Sequence, residues 1–318
     1  MTTRSAAALV AGAGAVVGAG YALERSAAGR WRVDEEALAA GGRTLPADLE
    51  HHFVPVSDGG RIHAVERGEG PPVVLVPGIT LGVATWAPQL RQLSRRCRVV
   101  AVSQRGHGQS VAGDGGYGLD RLADDLLEVL AALDVYDGVL GGHSMGGMVC
   151  QILAVRHPER IRRHVRRLVL IATSPGPVVA EPLVPALTAL AGRGLRRAER
   201  RGGGLFPGHD VGVWATRLGF GARPAPADVE LTRSMVDAMS PATLSALVPA
   251  LLGFCARDRL AAVDLPTRVV VGSRDLLTPP RTGRALARLV GGAELSLLPG
   301  CGHMVMLERA DELCDLLV

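Results

Sequence analysis

The sequence predicts an α/β protein built on a mostly parallel eight-stranded sheet, flanked by helices and interrupted once by a helical insertion. Three observations predict it. Short apolar runs rich in Val alternate with longer helical stretches along most of the chain. A serine between glycines, Gly142-His143-Ser144-Met145-Gly146, joins one such run to a helix. Between about residues 176 and 263 the alternation stops, leaving helical patterns and no convincing strand.

At 318 residues the chain can bury a sizeable core, as one large domain with an insertion or as two domains. An apolar content of 47% excludes general disorder, and 3% aromatics leave the core to Ala, Val and Leu. All 35 basic residues are arginine, and lysine and asparagine are absent, which fits a GC-rich genome and bacterial ancestry. The net charge of +4 is modest, and the arginines fall in two helical patches instead of a stripe interleaved with aromatics. That pattern argues against nucleic acid as a partner. Cys97, Cys150, Cys255, Cys301 and Cys314 are odd in number and contain no C-x-x-C pair, so neither a disulfide framework nor a zinc site is expected and core packing is their role. His51, His52 and His63 form no helix-spaced metal set. No metal and no cofactor are expected.

Residues 1–50 read as an N-terminal apolar segment and a linker. Ser5 to Leu23 carries no charge over about 19 residues, enough to cross a bilayer. Its Ala and Gly content leaves three readings open: a membrane anchor, a cleaved signal peptide, or a cytoplasmic extension. As a spanning anchor, with Arg25, Arg30 and Arg32 behind it, it would leave the rest of the chain inside the cell. Arg30 to Glu50 reads as a polar linker with a short helical piece. The first part of the core then covers residues 51–175. His52 to Val56 and Arg61 to Glu66, around Ser57-Asp58-Gly59-Gly60, make a hairpin. Val73 to Val76 is a strand buried on both faces. A helix from Trp86, a strand over Arg98 to Val102, an amphipathic helix over Leu119 to Leu133, a strand at Val139-Leu140, a helix over Met145 to His157 and a strand over Leu168 to Ala172 follow. Residues 176–263 read as a helical lid, with helices near Leu183 to Leu190, Arg193 to Arg201, Asp228 to Met239 and Pro241 to Leu252. The core resumes over residues 264–318 with strands at Arg268 to Val271 and Ala293 to Leu298, a helix over Arg281 to Leu289, and one helix from Met304 to Leu317.

A serine on so sharp a turn between strand and helix needs a base and an acid to orient that base. Asp275 follows one late strand in Gly272-Ser273-Arg274-Asp275, and His303 follows the next in Gly302-His303-Met304. Both fall beyond C-terminal strand ends, the edge where parallel α/β sheets place their sites. Asp275 could equally cap the next helix. The N–H groups of Met145 and Ile79 are the expected oxyanion donors. His107 reads as a structural loop residue, and His143 as packing beneath the serine turn.

These stretches, with Gln104-Arg105-Gly106-His107-Gly108-Gln109-Ser110 and Val76-Pro77-Gly78-Ile79, resemble the α/β-hydrolase fold family in its serine esterase, lipase and lysophospholipase-like branch, from about His52 to the C-terminus. The resemblance implies hydrolysis of a carboxylic ester or related small-molecule or lipid-like acyl substrate, through an acyl intermediate on Ser144 with Asp275 and His303. It equally implies carbon–carbon bond hydrolysis or cofactor-free haloperoxidase chemistry on the same triad. A slow-turnover ligand receptor is the reading from another class. Two departures stand out: Pro77-Gly78 where the family usually has His-Gly, and a duplicated Arg-rich run at Arg162 to Leu168, expected to be absorbed at the surface.

Overall fold

The computed structural model describes residues 29–31, 33–177 and 210–318, with isolated positions 189, 192, 193, 195 and 200 between the last two ranges. The apolar segment Ser5 to Leu23 lies outside the described residues, as does most of the arginine-rich run Arg193 to Arg201 and of Leu183 to Leu190. Helix α1 (Glu35–Ala40) precedes the hairpin of β1 (Glu50–Pro55) and β2 (Arg61–Arg67). Then come β3 (Pro72–Val76), α2 (Ala87–Gln92), β4 (Arg98–Val102), α3 (Leu119–Ala132), β5 (Gly138–His143), α4 (Met145–Arg156), α5 (Pro158–His164) and β6 (Val165–Ile171). The insertion contributes α6 (Asp210–Arg217), α7 (Pro226–Ala238) and α8 (Pro241–Leu252), and no strand among its described residues. The chain ends with β7 (Thr267–Gly272), α9 (Pro280–Leu289), β8 (Glu294–Leu298), α10 (Val305–Glu308) and α11 (Ala310–Leu317).

The eight strands form one sheet in the order β1-β2-β4-β3-β5-β6-β7-β8. The hairpin is antiparallel, β2 runs antiparallel to β4, and the other neighbours are parallel. Strands β3 to β6 are apolar on both faces because helices cover both sides. Leu126, Leu130, Met148, Ile152 and Leu286 pack on one face, and Trp86, Leu90, Leu313 and Leu317 on the other. Helix α4 is apolar around its circumference, and it is accordingly buried from Met145 to Ala154. Strand β5 lies between β3 and β6, pairing Gly142 with Val76 and with Leu170. Whatever follows β5 therefore emerges at the middle of the C-terminal edge.

Three local expectations change. The stretch before β1 is more than a linker: Trp31, Leu38, Leu45 and Leu49 pack against the core, Arg67 holds Asp48 at 2.9 and 3.0 Å, and Arg43 is paired with buried Asp228 of α7. The duplicated arginine run is only partly taken up by α5. The remainder starts β6 three residues early and inserts a bulge, since Gly138 faces Val165 and Val139 faces Arg167, leaving Arg166 exposed. The single C-terminal helix is broken at Arg309, whose ψ of 50° is not helical.

Arg105 is fully buried and bridges three segments. It binds Asp125 of α3 at 2.6 and 2.8 Å, Asp58 of the hairpin turn at 2.9 Å and the Gly116 carbonyl at 2.7 Å. Arg105→Met would take the buried cation from both carboxylates, leaving Asp125 to Arg121 at 2.8 and 3.0 Å and Asp58 to the N–H groups of Gly60 and Gly115. Urea unfolding should then show a loss of about 3–5 kcal/mol, the typical cost of breaking a buried ion pair from one side.

Candidate active site

Ser144 sits between β5 and α4 with φ 51° and ψ −118°, a left-handed conformation that costs about 1–3 kcal/mol in a non-glycine residue. Surrounding bonds hold it there. Its N–H donates to Ile171 at 2.9 Å, and its carbonyl accepts from Thr173 Oγ1 at 2.7 Å and from Met148 N–H at 3.1 Å. Two glycines make the turn possible: a Cβ at Gly142 would meet Cys150 Sγ and the Gly146 carbonyl at 2.7 Å, and one at Gly146 would meet the Val76 and Pro77 carbonyls at 2.5 Å. Ser144 is half-buried while the rest of the turn is buried, so its side chain alone reaches outward.

His303 stands on the loop after β8, 5% exposed. Its Nδ1 lies 2.9 Å from Asp275 Oδ2. Asp275 serves both roles that its sequence position allows. Oδ1 caps the turn, accepting the N–H groups of Leu277 and Thr278 at 2.8 Å, while Oδ2 accepts the Thr278 hydroxyl at 2.7 Å beside His303. Burial by itself would raise the Asp275 carboxyl, but the adjoining His303 and these donors outweigh it and hold the group below its ordinary range. It stays ionised, so in the neutral His303 ring Nδ1 carries the proton and Nε2 is bare.

The backbone of His303 is fixed separately. Its N–H donates to Gly219 of the insertion at 2.8 Å, and its carbonyl accepts from His143 Nε2 at 3.0 Å. The His143 ring lies 4.7 Å from that of His303. A Cβ on Gly78 would come within 3.1 Å of Ser144 Cβ and 3.0 Å of His143 Nδ1, so the β3 loop lies directly against the serine. Glu308 then ties two loops together, accepting from Gly302 N–H at 2.9 Å and Gly221 N–H at 2.8 Å.

Met145 opens α4, where the first N–H groups have no partner within the helix. Ile79 follows Gly78 on the β3 loop, next to Thr80 at φ 65°. His107 holds that loop: its Nδ1 donates to the Arg105 carbonyl at 3.0 Å, and its Nε2 accepts the Thr80 N–H at 3.1 Å. A cavity of about 390 Å³ lies beside this loop, lined by Thr80, Leu81, Val83, His107, Met235 and Met239. A cavity of about 420 Å³ at Asp48, Arg67, Arg91 and Ser94 is at the opposite edge of the sheet and takes no part in this site.

Thr278, Glu308, Thr173 and Gly219 had no signal in the sequence that ties them to the site. Four of the five cysteines are buried as expected, and Cys255 is exposed. Among the described residues, one group could gather ligand atoms for a metal: Glu50, His52 and Glu66. Arg98 already holds Glu66 at 2.6 and 2.8 Å, so a cation there would have to displace an arginine.

Burial keeps several histidines neutral. It lowers His107 and, with His303 adjacent, puts His143 well below the ordinary value; burial followed by the nearby His51 and His52 brings His63 from 6.5 to about 4. The unfolded chain takes up these protons near pH 6.5 while the folded chain does not, so the contribution of these rings to stability falls as pH drops below that value towards about 4. Thermal melting from about pH 7 to about pH 5 should show a steady decrease. A flat profile would mean that these rings are solvated.

Strand order, serine turn and Asp–His pair define a hydrolase of the α/β class. Residues 71–310 match the model of the alpha/beta hydrolase fold family, and the chain belongs to it. It is 30% identical to the 2-hydroxymuconate semialdehyde hydrolase of Pseudomonas sp. (strain CF600), over 82% of this chain and 90% of that one. It is also 30% identical to the non-heme chloroperoxidase CPO-A1 of Kitasatospora aureofaciens, over 80% and 93%. Among solved structures, a thermophilic esterase from Thermogutta terrifontis with malate bound superposes with a TM-score of 0.72, at 26% identity over 84% of this chain and 96% of the esterase.

Proposed function

We propose that this enzyme hydrolyses carboxylic esters through an acyl-Ser144 intermediate. The observation that carries the reading is the buried, ionised Asp275 on Nδ1 of His303, which commits Nε2 to acting as a base. Ser144 Oγ attacks the ester carbonyl carbon as His303 Nε2 takes its proton. The carbonyl oxygen becomes an oxyanion facing the N–H groups of Met145 and Ile79, and the positive end of α4 favours the charge. Collapse breaks the bond to the alcohol, which leaves with the proton from Nε2. Water, deprotonated by the same nitrogen, then attacks the acyl carbon and releases the acid and the free serine. Neutral His107 supports the second donor by keeping the Ile79–Thr80 turn in place. The cavity beside Thr80 gives room for the bulk of the substrate.

The 30% identity to a semialdehyde hydrolase supports a second reading, in which the group expelled is a carbon stabilised by a neighbouring carbonyl. Turnover of p-nitrophenyl esters of graded chain length, measured beside a vinylogous diketone, separates the two. Ester turnover at least about tenfold above diketone turnover supports the proposal, and the reverse ratio overturns it. Negligible turnover of both, with either compound raising the melting temperature, would mark a receptor.

A further inference from the structure

Exposed leucines gather around the candidate site. Leu218 is 63% exposed, Leu276 69% and Leu277 55%. Each is one or two residues from a group that holds His303, namely Gly219 or Asp275. They come from two segments distant in the chain, yet both segments converge on one ring at the C-terminal edge of the sheet. Single exposed leucines are ordinary, but a group beside one site points to a contact surface. Helix α8 of the insertion adds to the apolar character, since it is apolar over most of its length and only Leu247 is buried. Arg223, Arg274 and Arg281 are exposed nearby in sequence, and none has an ion pair among the described residues.

The start of the described chain points to what this surface meets. Arg217 of α6 lies over the Trp31 ring at 5.4 Å, and a Cβ on Gly41 would lie 3.5 Å from Ala227 of α7. The chain therefore enters against the insertion helices, on the side of Leu218. Residues 1–28 precede that point and include the uncharged run Ser5 to Leu23.

We propose that this face docks on a phospholipid bilayer, with Leu218, Leu276 and Leu277 entering the boundary between headgroups and acyl chains and the three arginines meeting phosphates. The uncharged run Ser5 to Leu23, long enough to cross a bilayer, precedes the point at which the described chain meets this side. The substrate is then an ester held in the membrane, which rests on the ester-hydrolase reading above.

The test uses the full chain reconstituted in vesicles of phosphatidylcholine and phosphatidylglycerol. In a Cys255→Ser background, a nitrobenzoxadiazole label is attached at Leu277→Cys or, as the opposite-edge reference, at Arg95→Cys. A side chain at the acyl boundary sits about 5–10 Å below the surface, so spin-labelled acyl chains should quench the first label by more than about half and leave the second unchanged. Equal quenching at both positions, or none at Leu277, overturns the docking face. Fluorophosphonate labelling of Ser144 in the same samples reads the hydrolase assignment independently, so the two failures are distinguishable.

Discussion

Ser144→Ala should lower kcat on a short p-nitrophenyl ester by about six orders of magnitude, to whatever binding and the oxyanion donors supply alone. The loss is large because, among the described residues, the hydroxyls around the serine turn are committed elsewhere. Thr173 is committed to the Ser144 carbonyl, Thr278 to Asp275, and Thr80 to the Ile79 carbonyl at 2.6 Å. The fold should survive, because the bonds that hold the turn use the backbone of residue 144 and are retained by alanine. Fluorophosphonate labelling followed by peptide mapping gives the clearest reading. A label that persists on another residue of the variant would reject the assignment.

Asp275→Asn should lower kcat by about four orders of magnitude with little change in melting temperature. The cause is the arrangement of donors around the carboxylate. The N–H groups of Leu277 and Thr278 require an oxygen at the Oδ1 position, so the asparagine amide nitrogen must take the place of Oδ2. That nitrogen then donates towards His303 Nδ1, which has to become the bare nitrogen while the proton moves to Nε2. The base is lost through the wrong tautomer, with geometry preserved. Proton NMR should show the downfield Nδ1–H resonance of the wild type disappearing in the variant. An unchanged kcat would send the search to Asp258 or Asp264, although Asp264 is exposed and paired with Arg162 at 2.5 Å.

The residues legible in the sequence are those whose chemistry is spelled out over a few neighbouring positions. Glycines on either side of Ser144 leave room that only a strand–turn–helix junction requires. Asp275 and His303 each follow an apolar run within a few residues, which places them at one edge once the strands are parallel. The contacts that hold them were not legible, because they join segments far apart: Glu308 to Gly221, Arg43 to Asp228, His143 to the backbone of His303. The linker reading failed for the same reason, since Arg43 and Asp48 look like ordinary polar residues until their partners are placed. The early start of β6 depended on a bulge, and nothing in Arg162 to Leu168 says which residue will be left over.

The joint between insertion and core restricts how this enzyme can move. Gly219 binds the His303 N–H, Gly221 is held by Glu308, and Ala222 N–H donates to the Gly300 carbonyl at 3.2 Å. The backbones run so close that a Cβ on Gly221 would stand 2.1 Å from the Gly300 carbonyl oxygen and one on Gly302 2.4 Å from Gly221 N. A hinge at this seam would carry His303 with it and change its place relative to Ser144. Among the described residues, this seam therefore makes the stretch Gly219 to Ala222 and the histidine loop one unit, in which neither can shift without the other.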